Sequence, residues 1–186
     1  MPLSVNDIIA AIHASLSDDL LSAKWRRIVA GEQARTSLSG HCAIAAEALY
    51  DLLGGAAAGY TPYVCSYHEK DGRDVYIRAP QGHEPLTHWW VRAPKGAQRG
   101  AGDVIDPTAG QYPYPFPYQH GQPAGFMSPF PPSQRARTII ARVERKLGAR
   151  AVRDFRAAQV AAYGRAGGRA VLGKADQRRM RELRRR

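Results

Sequence analysis

Eight of the thirteen prolines in this 186-residue chain lie between Pro107 and Pro132. Proline lacks a backbone N–H and has a fixed φ, so it interrupts helix interiors and central strands alike. The stretch from Asp106 to Pro132 therefore reads as a long loop, dividing the chain into a body before it and a helical third after it. It also holds Tyr112, Tyr114, Phe116, Tyr118, Phe126 and Phe130. Long loops without regular structure are uncommon and often functional, and this aromatic density predicts one that packs on the body.

Before the loop, hydrophobic spacing changes period. Val5 to Leu16 reads as a helix, with Ile8, Ile9, Ile12 and Leu16 on one stripe. Ser17-Asp18-Asp19 reads as the cap of a second helix containing Leu20, Leu21, Trp25 and Val29. Cys42 to Leu53 reads as a third, apolar at Ile44, Ala45, Ala48, Leu49 and Leu52, and stopped by Gly54-Gly55. Tyr60 to Tyr67 and Val75 to Arg78 are rich in aromatic and β-branched residues, with a turn at 68–72. Leu86 to Arg92 and the short Asp103 to Asp106 complete a small antiparallel sheet. After the loop, Ser133 is placed to cap a helix with Ala136, Ile139, Ile140, Val143 and Leu147 on one face. Val152, Phe155 and Val160 continue that stripe beyond Gly148. The expected fold class is α+β, in one domain over residues 1–163, followed by a basic tail, 164–186.

Composition narrows the function classes. Apolar residues make up 44% and charged residues 23%, which is globular rather than disordered. No stretch approaches the ~18–20 apolar residues that cross a bilayer. The first residues lack the basic region of a secretory signal, and two cysteines make no disulfide framework. The expectation is a reduced, cytoplasmic protein with no membrane partner. The formal charge of +11 is unevenly placed: 134–186 holds 17 Lys and Arg against 4 Asp and Glu, leaving 10 against 12 before it. Such a basic end suits phosphate-rich partners. Arg178, Arg179, Arg181, Arg184, Arg185 and Arg186 are its candidate nucleic-acid contacts, giving weak, salt-sensitive binding.

Three short segments carry chemistry. Ser39-Gly40-His41-Cys42-Ala43 puts a cysteine at the start of an apolar helix, where unpaired N–H groups and the dipole favour a thiolate nucleophile. Thr87-His88-Trp89-Trp90-Val91 puts a histidine on a strand, able to act as base and then acid. Asp103-Val104-Ile105-Asp106-Pro107-Thr108 puts an aspartate at a strand end, where a carboxylate can orient that histidine. Taken singly, a buried core cysteine, a structural histidine and an Asp-Pro turn are the commoner readings. Cys65 lacks a partner motif and reads as buried and inert. Asp103 is the backup carboxylate, expected to point elsewhere.

The arrangement resembles the transglutaminase-like branch of the papain-like cysteine enzymes. That branch runs Cys, His, Asp in chain order, as G-x-C before a helix, H-x-W in a strand and a D-P-T-like strand end. Here these are Gly40-His41-Cys42, His88-Trp89-Trp90 and Asp106-Pro107-Thr108. The resemblance covers roughly residues 35–110. It implies a papain-like core with a small antiparallel sheet packed on the helix bearing the cysteine, followed by C-terminal helices. It implies Cys42 as nucleophile, His88 as general base and acid, and Asp106 as orienting carboxylate, with the Cys42 N–H in the oxyanion hole. The region after Asp106 does not align with animal transglutaminases and shows no calcium-loop pattern. Residues 112–137 resemble small proteins of phage and bacterial genomes, a likeness that supplies no substrate.

His41, beside the nucleophile, is a candidate substrate contact. Trp89 and Trp90 face opposite sides of their strand, so one belongs to the core and the other can line a cleft. Tyr112 stands for the aromatic loop as a substrate wall. Cys42, His41, His88 and Asp106 lack a zinc signature, and no phosphate-cradling glycine motif is present, so no metal or cofactor is expected. The expected reaction is acyl transfer from an amide or thioester to water or an amine, on a protein, peptide or other amide substrate. The rival expectation is a non-enzymatic, nucleic-acid-associated basic protein in which the triad is residual.

Overall fold

The computed structural model describes residues 2–31, 36–70, 74–76, 86–97, 103–126 and 131–164. Helix α1 (Val5–His13) starts at Ser4, whose hydroxyl accepts from the Asp7 N–H while the Asp7 carboxylate accepts from the Ser4 N–H. It buries Val5, Ile8, Ala11 and Ile12. It ends before Leu16, where the Ser15 hydroxyl turns back to donate to the Ala11 carbonyl at 2.7 Å. Ser17-Asp18-Asp19 does not open the second helix as its composition suggests. It leads a single 3-10 turn, Asp18–Leu20, and helix α2 (Ala23–Gly31) starts behind Ser22, whose hydroxyl accepts from the Trp25 N–H at 3.2 Å. Leu20 and Leu21 are buried ahead of that helix rather than within it.

Helix α3 (Cys42–Leu52) is followed by strands β1 (Thr61–Lys70), β2 (Asp74–Tyr76), β3 (Leu86–Arg92), β4 (Val104–Ile105) and β5 (Gln122–Pro123). Helices α4 (Gln134–Leu147) and α5 (Ala149–Tyr163) close the described chain. The architecture is mixed α+β with an antiparallel sheet ordered β2-β1-β3-β4. β5 shares the edge of β1 with β2, pairing at Tyr63 and Val64. β1 continues to Lys70, through the start of the expected turn, while Ile77 and Arg78 lie outside the described residues. The proline-rich stretch is more regular than its composition predicts. It forms 3-10 turns at Ala109–Gln111 and Tyr118–His120, and β5 sits at a sheet edge, where a proline costs no ladder bond.

The β1–β3 register sorts the sheet into two faces. Tyr63 stands opposite Trp90, Cys65 opposite His88, and Tyr67 opposite Leu86. Directly opposed residues share a face. That face is covered by the proline-rich loop, with Cys65, Tyr67, Trp90 and Phe116 forming a compact cluster joined by Tyr112 and Tyr118. The other face presents Val91 to the main core, built from α1, α3, α4 and α5 around Ile8, Ile12, Leu49, Ile139, Val143 and Phe155.

The C-terminal helices are thus part of the body. Ser133 caps α4, its hydroxyl accepting from the Ala136 N–H at 3.3 Å. The N–H and hydroxyl of Ser133 in turn donate to the buried Glu47 carboxylate of α3, at 2.9 and 2.6 Å. Tyr60 donates to Gln159 of α5 at 2.7 Å. No helix among the described residues is long and apolar enough to cross a membrane.

Candidate functional site

The site begins with a glycine that no other residue replaces without strain. Gly40 has φ +78°, and a Cβ there would lie 2.9 Å from the indole of Trp25. This turn delivers His41 and Cys42 to the start of α3. His41 is buried, its Nε2 donating to the Ser17 carbonyl at 3.1 Å and its Nδ1 without a partner among the described residues. The Cys42 backbone N–H is one of the first-turn donors that a helix leaves without an internal acceptor. The Cys42 thiol donates to the Thr87 carbonyl of β3 at 3.5 Å.

β3 supplies the histidine. His88 is completely buried, on the loop-covered face of the sheet. α3 packs against the opposite face, so the thiol does not reach the ring across a face. It meets β3 at the Thr87 carbonyl, one position before His88 and away from the Val91–Arg92 end of the strand that pairs with β4. Burial opposes charge on the imidazole and lowers its pKa. The hydrogen bond to Asp106, the interaction with the Cys42 thiol and the charges of both outweigh it and push the pKa up to about 9.

The segment after β4 supplies the carboxylate. Asp106 Oδ2 lies 2.6 Å from His88 Nε2. Its other oxygen accepts from the Thr108 N–H at 2.7 Å and the Thr108 hydroxyl at 3.1 Å, so Asp-Pro-Thr is a local turn that aims its own side chain. Tyr118 donates to Oδ2 at 2.7 Å. Burial raises the Asp106 pKa, but the bonds from His88, Tyr118 and Thr108 and the charge of His88 hold it below the ordinary carboxylate value. An ionised Asp106 makes Nε2–H the donor and leaves Nδ1 to face the thiol.

An aromatic shell encloses the ring. Phe116 lies 4.5 Å from it, Tyr112 meets it edge-on at 4.9 Å, and Trp90 stacks 5.9 Å away. The Tyr112 hydroxyl is bound to that of Tyr67 at 2.8 Å, and burial raises the Tyr112 pKa well above its ordinary value.

The structure therefore brings Cys42, His88 and Asp106 together. Two expected substrate contacts need correction: His41 and Trp90 are buried to 1% and 0% exposure and offer no surface to a ligand. The His41 ring turns to Ser17, and Trp90 is the core member of the tryptophan pair. Trp89 is half-buried on the other face, stacked on Phe126 at 5.3 Å, and Tyr112 is half-buried against His88. Asp103 points away, to Arg92 at 3.6 Å. Cys65 is buried, and burial raises its thiol pKa, yet the register sets it directly across from His88. The expected nucleic-acid contacts from Arg178 to Arg186 lie outside the described residues. Among the described residues no group of three or more His, Cys, Asp or Glu is placed to hold a metal.

Thr108, Gln111, Phe116 and Tyr118 complete the site without having been singled out as site residues. Thr108 stood inside the Asp-Pro-Thr segment, and the aromatic loop was expected to pack on the body. Nothing in the spacing marks which loop residues meet the aspartate. Compared with known proteins, the chain matches no family model, and neither a curated protein nor a solved structure matches it significantly.

Proposed function

We propose that the protein is a thiol-dependent acyl-transfer enzyme with a papain-like arrangement, in which Cys42 is the nucleophile, His88 the base and acid, and Asp106 the orienting carboxylate. The observation that carries this reading is a shared locus: Asp106 holds His88 Nε2 at 2.6 Å, and the Cys42 thiol meets the same strand one position away, at the Thr87 carbonyl. Residues drawn from a helix start, a strand and a strand end converge on it, as a nucleophile, its base and the base's orienter must.

The thiolate adds to a carbonyl carbon, and the Cys42 N–H at the start of α3 faces the oxygen on which charge collects. The carbon–nitrogen or carbon–sulfur bond then breaks, and His88 gives its proton to the departing amine or thiol. The thioester left on Cys42 passes its acyl group to water or to an amine, with His88 taking the incoming proton. The reading is tested with an acyl fluoride or thioester probe and intact mass. The expected result is one acyl adduct on Cys42, released by hydroxylamine and absent from Cys42→Ser. No adduct, or an adduct on Cys65, overturns it.

A second reading draws on charge. α4 and α5 carry eight Arg and Lys against Glu144 and Asp154. Arg137, Arg145, Lys146 and Arg153 are exposed and make no ion pair among the described residues. Such exposed positive charge suits weak nucleic-acid binding that weakens as salt rises. Binding of a DNA or RNA oligonucleotide that does not weaken with salt contradicts it.

A further inference from the structure

His88 has two ring nitrogens, and Nε2 is taken by Asp106. Nδ1 is the atom left for the thiol, and it is already occupied. The carboxamide nitrogen of Gln111 lies 3.0 Å from Nδ1 and 3.3 Å from the Thr108 hydroxyl oxygen. The single hydroxyl proton of Thr108 goes to Asp106, so Thr108 meets Gln111 with a lone pair and calls for its NH2 group. One amide hydrogen is thereby directed at Thr108 and the other at the Nδ1 lone pair. The Cys42 thiol, meanwhile, donates to the Thr87 carbonyl. If Nδ1 carries the proton, a half-turn of the same carboxamide presents its oxygen to the ring and gives up the bond to Thr108. Gln111 can therefore hold Nδ1 in either charge state, and in both it stands where the thiol must bond.

We infer that Gln111 is a positioning residue that competes with the Cys42 thiol for His88 Nδ1 and withholds that nitrogen from the thiol until the carboxamide is drawn away. The inference rests on the acyl-transfer reading and adds to it a restraint on the nucleophile. Gln111 is half-buried at the end of the three-residue turn Ala109–Gln111, so its carboxamide can swing without unfolding a helix or strand. The other titratable groups facing the ring are Asp106, Tyr112 and Tyr118 from the loop, Cys65 from β1 and Cys42 from α3. Burial pushes both tyrosines and Cys65 upward, and Asp106 is held ionised. A neutral-range change caused by altering Gln111 therefore belongs to the Cys42–His88 pair.

The test measures iodoacetamide alkylation of Cys42 and Cys65 separately, by peptide mass, in the full chain from pH 5 to 10. Gln111→Leu frees Nδ1. Cys42 should react about tenfold faster near pH 6.5, its profile moving about one unit to lower pH, because one unit is a tenfold change in thiolate at the foot of the curve. Gln111→Glu should react no faster than the unsubstituted protein, since its carboxylate keeps a protonated Nδ1 for itself. Cys65 should be unchanged in both. An unchanged or slower Cys42 in the Leu variant overturns the inference, as does equal acceleration in both variants or a parallel rise at Cys65.

A His88→Asn variant separates the two readings. If it slows Cys42 while Gln111→Leu does nothing, the pair stands and the restraint falls. If it leaves Cys42 at its ordinary rate and the gain from Gln111→Leu persists beside it, the pair itself falls. In the unsubstituted protein, the Gln111 side-chain amide protons should follow the His88 ring titration by NMR. Amide protons indifferent to that titration overturn the inference without any substitution.

Discussion

Tyr118 and His88 share one oxygen of Asp106: the phenol donates to Oδ2 at 2.7 Å and the imidazole Nε2 at 2.6 Å. Burial and the adjoining Asp106 charge raise the Tyr118 pKa, so the phenol stays protonated and remains a donor. Tyr118→Phe removes one of the bonds that keep Asp106 ionised. Loss of a buried hydrogen bond to a charged group should cost about 1–2 kcal/mol in urea denaturation. The His88 titration should move down, because a less firmly ionised Asp106 supports the imidazolium less. An unmoved ring titration would show that the phenol only fills space.

The His88–Asp106 pair also sets the pH limits of stability. His88 has its folded pKa raised from 6.5 to about 9, so its contribution is complete below pH 6.5 and is lost as pH rises through about 9. Asp106 is shifted down from 3.8, so its contribution is present above 3.8 and is lost as pH falls through its lower folded value. Melting temperature against pH should therefore fall at both ends. Asp106→Asn should flatten the acid limb and lower the plateau. For an amide substrate, turnover should decline above about pH 9, where His88 no longer carries a proton for the leaving amine. A thioester substrate, whose leaving group needs less help, should keep its rate there.

Gly121 has an ordinary negative φ, so its role is one of space. A Cβ there would lie 2.1 Å from the Trp90 indole. Gly121→Ala should destabilise the fold by about 1–3 kcal/mol through overpacking and displace the adjoining turn that carries Tyr118. Gly96→Ala is the comparison: nothing lies within 4 Å, and only its φ of +88° is strained. If the two variants shift the denaturation midpoint equally, contact with Trp90 is not what excludes a side chain at 121.

Glu47→Ala leaves the N–H and hydroxyl of Ser133 without their acceptor at the start of α4. Removing a buried acceptor from two donors should cost about 2–4 kcal/mol. Ser133→Ala keeps the N–H bond to Glu47 but loses the hydroxyl bond and the cap on the Ala136 N–H, so chemical denaturation should show a comparable loss.

The first 133 residues are near neutral, so any nucleic-acid affinity must come from 134–186. Removing 174–186 deletes seven Lys and Arg against Asp176 and Glu182, a loss of net +5. The truncated chain should bind an oligonucleotide with a shallower salt slope and keep Cys42 reactivity. Unchanged binding would place the affinity in α4 and α5.

What the sequence makes legible follows periodicity. The α3 stripe and the Leu86–Arg92 strand appear at their expected places because burial on one side imposes a simple repeat. The Ser133 cap is equally local, one hydroxyl serving one N–H. Composition misplaces the start of α2 because Ser17 and Ser22 carry the same capping chemistry, and only the packing of Leu20 and Leu21 selects the second. In the site, Cys42, His88 and Asp106 announce themselves by residue type. Gln111 and Tyr118 do not, since their roles arise when the loop folds back, Gln111 onto His88 of β3 and Tyr118 onto Asp106 beyond β4.

The main core has one further consequence, in the order of synthesis. Ile8 and Ile12 share one core cluster with Ile139, Val143, Val152 and Phe155, more than a hundred positions later. While the chain grows, α3 covers part of the apolar side of α1, and the rest has no counterpart until α4 emerges. Folding of this body is therefore a late, nearly all-at-once event that closes a long loop, and such non-local closure is slow. Until then the nascent chain exposes a greasy flank, a natural target for a chaperone. A stop anywhere before α4 should yield aggregating fragments rather than a smaller folded protein.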